Sequence, residues 1–263
     1  MPAPWRPASP NISPPRRLAW AWLALLALTL LWDAVGLDLP LMQHIGTAQG
    51  FALRGDILLE GVMHDGLRKA ALLLYLVLWG WALAPDAWLP KRWPGLPLPR
   101  RERLAAVLLV AATLAAVNLV KYHSLTSCPW ELEVFGGPAR YVSHWTFGAA
   151  DGGSGRCFPG GHASSALALL PLCLPWLTPP AGSRARSPQA GQRWLAGILL
   201  MGMVAGATQT VRGAHFPSHT LWTLVLCSGV ALAGWRLAQP WLDRTEAGTR
   251  SKVREEPALP SHS

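Results

Sequence analysis

Six mostly apolar stretches, each near the length that crosses a bilayer as a helix, run at 18–35, 67–84, 104–120, 163–177, 194–211 and 220–235. They predict an all-α, polytopic membrane protein built as a bundle of six transmembrane helices. The fourth stretch is the shortest and carries Pro171 and Pro175, so a kink, or a start before His162, is expected there. Arg16 and Arg17 ahead of the first stretch also suit a cleaved signal peptide. That stretch is too long for one, however, and Asp33 and Asp38 follow it instead of a small-residue cleavage site. No fixed period recurs, which argues against solenoids and inverted-repeat transporters. A single membrane domain is expected over 18–236. Pro-rich and charged composition marks 1–17 and 237–263 as disordered tails and 178–192 as a disordered linker.

Composition agrees with a membrane protein: 51% of residues are hydrophobic, only 14% are charged, and there are 15 Trp. The net charge of +9 is unevenly placed. Sixteen of the 23 Lys and Arg fall in the two tails and in the loops around 91–103 and 184–193, all on one side of a six-span layout. The positive-inside rule makes that side cytoplasmic, with both termini there, and turns 36–66, 121–161 and 212–219 outward. Anionic membrane lipid accounts for the basic balance, and no nucleic-acid partner is needed. The Leu/Ala-rich, Gly- and Arg-rich texture suits a bacterial inner membrane. Protein partners leave no trace in the sequence. The outer segment 37–66 reads either as an interfacial helix or as a solvated loop, and Trp130, Trp145, Trp194 and Trp222 read as interfacial belt residues.

Chemistry-bearing residues gather at the outward mouths of these stretches. Pro159-Gly160-Gly161-His162 precedes the fourth. Its glycines admit close backbone approach, and a helix N-terminus offers unpaired N–H groups to an anion. Alone, such a turn is a weak signal. Arg212-Gly213-Ala214-His215-Phe216-Pro217-Ser218-His219 fills the last outer loop, with Arg212 placed to pair with a phosphate while His215 attacks. Lys121 ends the third stretch on the same side, where a snorkelling anchor is the ordinary reading.

In order and spacing these pieces resemble the type 2 phosphatidic acid phosphatase superfamily, bacterial membrane-associated branch. Its motifs Lys-x6-Arg-Pro, Pro-Ser-Gly-His and Ser-Arg-x5-His-x3-Asp correspond here to Lys121-x6-Cys128-Pro129, Pro159-Gly160-Gly161-His162 and Thr208-Gln209-x5-His215-x3-His219. The resemblance implies a metal-independent, cofactor-free lipid phosphatase or phosphotransferase with a phosphohistidine intermediate and its active site at the outer, periplasmic face. His215 would be the nucleophile and His162 the general acid. Lys121, the Gly160 and Gly161 amides and Ser164 would hold the phosphoryl oxygens.

Three positions depart from the pattern. Cys128 and Gln209 stand where the family has arginines, and Arg212, one turn beyond Gln209, is expected to reach back into the same pocket. His219 replaces the Asp that orients the nucleophile, leaving Asp65 and Asp151 as candidate substitutes. Cys128 and Cys157 both face outward and form a candidate disulfide that would pin Lys121 near His162. Two other readings stay open: a lipid-binding or transport protein on the same scaffold, and a zinc hydrolase using His162, His215 and His219.

Overall fold

A computed structural model describes residues 14–89, 98–181, 183 and 186–254. The predicted stretches all become helical. The helices are α1 (Pro14–Val35), α2 (Asp38–Ile45), α3 (Leu67–Leu83), α4 (Arg100–His123), α5 (Gly161–Leu167), α6 (Leu174–Leu177), α7 (Pro188–Val211) and α8 (Pro217–Arg254). No β-strand occurs among the described residues, where the only extended pairings are two isolated bridges.

Four of these helices are long and apolar enough to cross a membrane among the described residues: α1, α4, α7 and Pro217–Asp243 of α8. They mark the chain as a membrane protein. The second and fourth predicted spans are shorter apolar helices, Lys69–Leu83 and Gly161–Leu177. The fourth is broken into α5, a 3₁₀ turn at Leu170–Cys173 and α6. Pro171 and Pro175 sit in the first turns of the last two pieces, where the missing N–H costs no hydrogen bond.

Several expected boundaries move. Helix α1 already starts at Pro14, and α8 runs through Pro240 to Arg254, past the predicted end at 236. The predicted linker is helical from Pro188, and Arg186 within it is tied down by Glu102. Residues 1–13, Lys91, Arg92, Arg184 and 255–263 lie outside the described residues. The outer segment 37–66 is neither one interfacial helix nor an open loop: it holds α2 and a π-helical turn at Leu58–Gly66.

Helix α8 is the axis of the bundle, packing on α4 and α1, while α5 lies between α7 and α8. Their shared core includes Val110, Val117, Leu167, Cys173, Ile198, Cys227 and Trp235. Close helix approach depends on small residues: a Cβ on Gly202 of α7 would come within 2.3 Å of Leu167. Leucines on α1 and α3, among them Leu28, Leu31, Leu72 and Leu76, stay exposed, as lipid contact allows. A second cluster of Met42, Phe51, Leu132, Phe135, Ala139 and Phe216 lies apart from this core and joins the outer segment to the loop before α8.

Candidate active site

The loop from Ser124 to Gly160 is shaped by two carboxylates. Asp151 accepts hydrogen bonds from the Ser127 amide (2.6 Å), the Ser127 hydroxyl (2.7 Å) and the Gly153 amide (3.0 Å). Glu131 accepts from the amides of Cys128 (3.0 Å) and Ser154 (3.3 Å). Asp151 is thus committed to its own loop and pairs with no histidine among the described residues, while the side chain of Asp65 lies outside them. Cys128 and Cys157 are joined as a disulfide, with an Sγ–Sγ distance of 2.08 Å. The bridge ties the chain just after α4 to the turn that carries His162.

That turn is fixed on α8. The Gly160 amide donates to the His219 carbonyl at 3.0 Å, and the Thr223 hydroxyl donates to the Gly160 carbonyl at 3.0 Å. Lys121 arrives from the end of α4, with its Cδ, Cε and Nζ 3.6–3.7 Å from where a Cβ on Gly161 would stand. Among the described residues the Lys121 ammonium has no hydrogen-bond or ion-pair partner. The Ser164 hydroxyl, by contrast, donates to the Gly161 carbonyl at 2.6 Å.

The three histidines form a row. Nε2 of His215 lies 3.4 Å from Nδ1 of His162, and its Nδ1 lies 3.5 Å from Nδ1 of His219 and 3.3 Å from Cys157 Sγ. His215 thus shows one ring nitrogen to each neighbouring histidine. The potential metal-ligating group that includes it is Cys128, Cys157 and His215, and there the two sulfurs are bonded to each other. His215 is 4% exposed. Burial holds its imidazole well below the ordinary value, and His219, Lys121 and His162 press in the same direction. The ring therefore stays neutral to well below the pH at which an ordinary histidine takes up a proton. His219 is fully buried and its Nε2 has no hydrogen-bond partner.

Arg212 does reach back one turn: an Nη donates to Gln209 Oε1 at 3.2 Å. Its remaining donors are taken by the outer segment. Nε and the other Nη donate to the Arg54 carbonyl at 3.2 and 3.0 Å, and Glu60 lies 3.5 Å away. Arg54 itself stacks over Trp130, its guanidinium carbon 4.7 Å from the ring centre. Gln209 is buried and its Nε2 has no partner. Gly213 takes a φ of +76°, and a Cβ there would come within 2.3 Å of Phe51, so the loop that carries His215 closes directly on the outer segment.

Sequence reasoning passed over the residues that brace this site from α1 and α2. Asp33 Oδ2 accepts from His144 Nε2 (3.1 Å), Trp145 Nε1 (2.9 Å) and Trp222 Nε1 (2.7 Å). Asp38 accepts from Trp32 Nε1 (2.9 Å), the Ser218 amide (3.1 Å) and the Ser218 hydroxyl, so it caps α8 from another helix. Burial pushes the Asp38 carboxyl up, and these hydrogen bonds pull it back. Trp145 and Trp222, expected to be belt residues, spend their N–H groups on Asp33. The available signal was a carboxylate at the end of an apolar run, costly there unless it has work to do.

A family model described as the PAP2 superfamily matches residues 103–243. Comparison with curated proteins and with solved structures gave no match.

Proposed function

We propose, on the premise that this chain belongs to the PAP2 superfamily of phosphatases, that it is a metal-independent lipid phosphatase or phosphotransferase working through a phosphohistidine. The substrate is a lipid phosphate or diphosphate held at the periplasmic face of a bacterial inner membrane. The two short apolar helices complete six spans of one domain, and both termini are cytoplasmic.

The observation that carries this reading is the pairing of His215 Nε2 with His162 Nδ1 at 3.4 Å, beside a lysine whose ammonium has no partner among the described residues. The phosphate enters between the two imidazoles, which part to admit it. Lys121, the Gly160–Gly161 backbone and the unpartnered Gln209 Nε2 receive its oxygens. Nε2 of His215 attacks phosphorus, forming the N–P bond as the P–O bond to the lipid breaks. His162 gives its proton to the departing oxygen. His215 keeps its Nδ1 proton, directed at His219, and carries a positive charge until water or a second lipid hydroxyl takes the phosphoryl group.

The test is phosphate release from a panel of lipid phosphates by detergent-purified protein in EDTA, comparing wild type with His215→Ala and His162→Ala. Release that survives EDTA and is lost in His215→Ala supports the reading. Loss in EDTA favours the zinc hydrolase, and no release from any lipid favours the binding protein.

A further inference from the structure

The third motif carries His219 where its family has a carboxylate. A phosphorylated His215 is cationic, and a neutral imidazole at 3.5 Å can accept its Nδ1 hydrogen bond but cannot balance its charge. The outer loops supply few alternatives. Asp151 is committed to Ser127 and Gly153, and Glu60 lies against Arg212. Asp38 is engaged by Ser218 and Trp32.

Asp33 stands differently. It comes from the outer end of α1, outside the matched region, yet its side chain is only 6% exposed and is packed behind the histidine row. Its Oδ1 is buried with no hydrogen-bond partner, while Oδ2 receives three N–H groups. The His144 ring that donates to it stacks on Phe158, centroids 4.3 Å apart and 8° from parallel, and stands edge-on to His219 at 6.2 Å. Phe158 touches His219 edge-on at 5.3 Å. A buried carboxylate therefore sits one ring behind the residue placed to accept the His215 Nδ1 hydrogen bond.

We propose, resting on the phosphohistidine reading above, that Asp33 is a positioning residue that replaces the missing motif carboxylate, acting through His144 on His219 and thereby on His215. The titratable groups facing it are His144, Asp38, Tyr141 and His219. With His144 donating Nε2–H to it, the Asp33 carboxylate offsets the positive charge on phosphorylated His215. Trp145 and Trp222 hold the carboxylate in place through their ring N–H groups.

The test compares wild type, Asp33→Asn, Asp33→Glu and Asp33→Asn combined with His219→Asp. Two quantities are read: kcat and KM on the preferred lipid phosphate, and the pKa of His215 from C2–H deuterium exchange followed by mass spectrometry. Asp33→Asn is expected to lower kcat roughly tenfold with KM little changed, and to lower the His215 pKa further. Asp33→Glu keeps part of the activity, and adding His219→Asp to Asp33→Asn restores both quantities. A folded Asp33→Asn that leaves both unchanged, or a double variant with no recovery, overturns the proposal. If Asp33→Asn does not fold, His144→Phe, which preserves the stack on Phe158 but cuts the link to the carboxylate, takes its place with the same expected outcome. Were wild type to release no phosphate at all, the phosphatase reading would fall, while the exchange measurement would still decide whether Asp33 acts on His215.

Discussion

The two ends of α4 handle charge in opposite ways. Near its start, Arg103 bonds Asp86 at 2.7 Å and the carbonyls of Leu98 and Ala84, and Glu102 takes a two-pronged bond from Arg186 at 2.5 and 2.8 Å. Arg186 also donates to the Pro175 carbonyl. Only Nε of Arg103 is left over. Some 28 Å along the same helix, Lys121 has no partner among the described residues, and Gln209 and His219 each keep an unpartnered nitrogen. The first end uses charge to lock α3, α6 and α7 together. The second leaves donors unused, at a cost in stability. Unmet polar groups, more than buried charge itself, distinguish a site from a strut.

Four experiments break or sharpen that contrast, in order of expected effect. Arg186→Met strands Glu102 inside the bundle and should cost about 3–5 kcal/mol of stability. Thermal unfolding in detergent reads this, with activity per folded molecule unchanged. Cys128→Ser with Cys157→Ser frees a loop of 29 residues and should cost ~3–4 kcal/mol; reductant should do the same to wild type, and because Cys157 touches His215, activity should fall with it. Lys121→Ala should lower kcat about a hundredfold yet leave the melting temperature level or slightly raised, since it removes a cation with no counter-charge. The smallest effect is on pH. The unfolded chain protonates His215 near 6.5, whereas the folded site resists until well below that. The folded state then binds fewer protons, so the His215 contribution to stability is intact above pH 6.5 and lost as pH falls beneath it. For the same reason the acid limb of kcat/KM due to His215 should lie below pH 6.5. An acid limb at 6.5 or higher would contradict the burial argument.

How far the sequence revealed this follows from the range of each interaction. Apolar runs and motif order are local, so all six helical stretches and the pieces bearing Lys121, His162 and His215 could be read directly. The break in the fourth stretch was legible from Pro171 and Pro175. The bracing of the site was not. Asp33 meets His144 across 111 positions and Trp222 across 189, and nothing periodic links such partners. Arg212 was expected in the pocket, and it does contact Gln209, but the Arg54 carbonyl that holds most of its donors is a backbone atom with no signature in side-chain type. The reach of α8 to Arg254 was missed because Pro240 and polar residues mimic a helix end.

Phe51 pressed against Gly213 bears on where this protein can be cut. A fragment trimmed to the matched region, 103–243, would keep every motif histidine and lose Phe51, Arg54 and Glu60 from the loop that carries His215, together with Asp33 and Asp38 from the first turns of α8. The matched region is therefore narrower than the set of residues that packs this loop and the start of α8, which reaches back to α1.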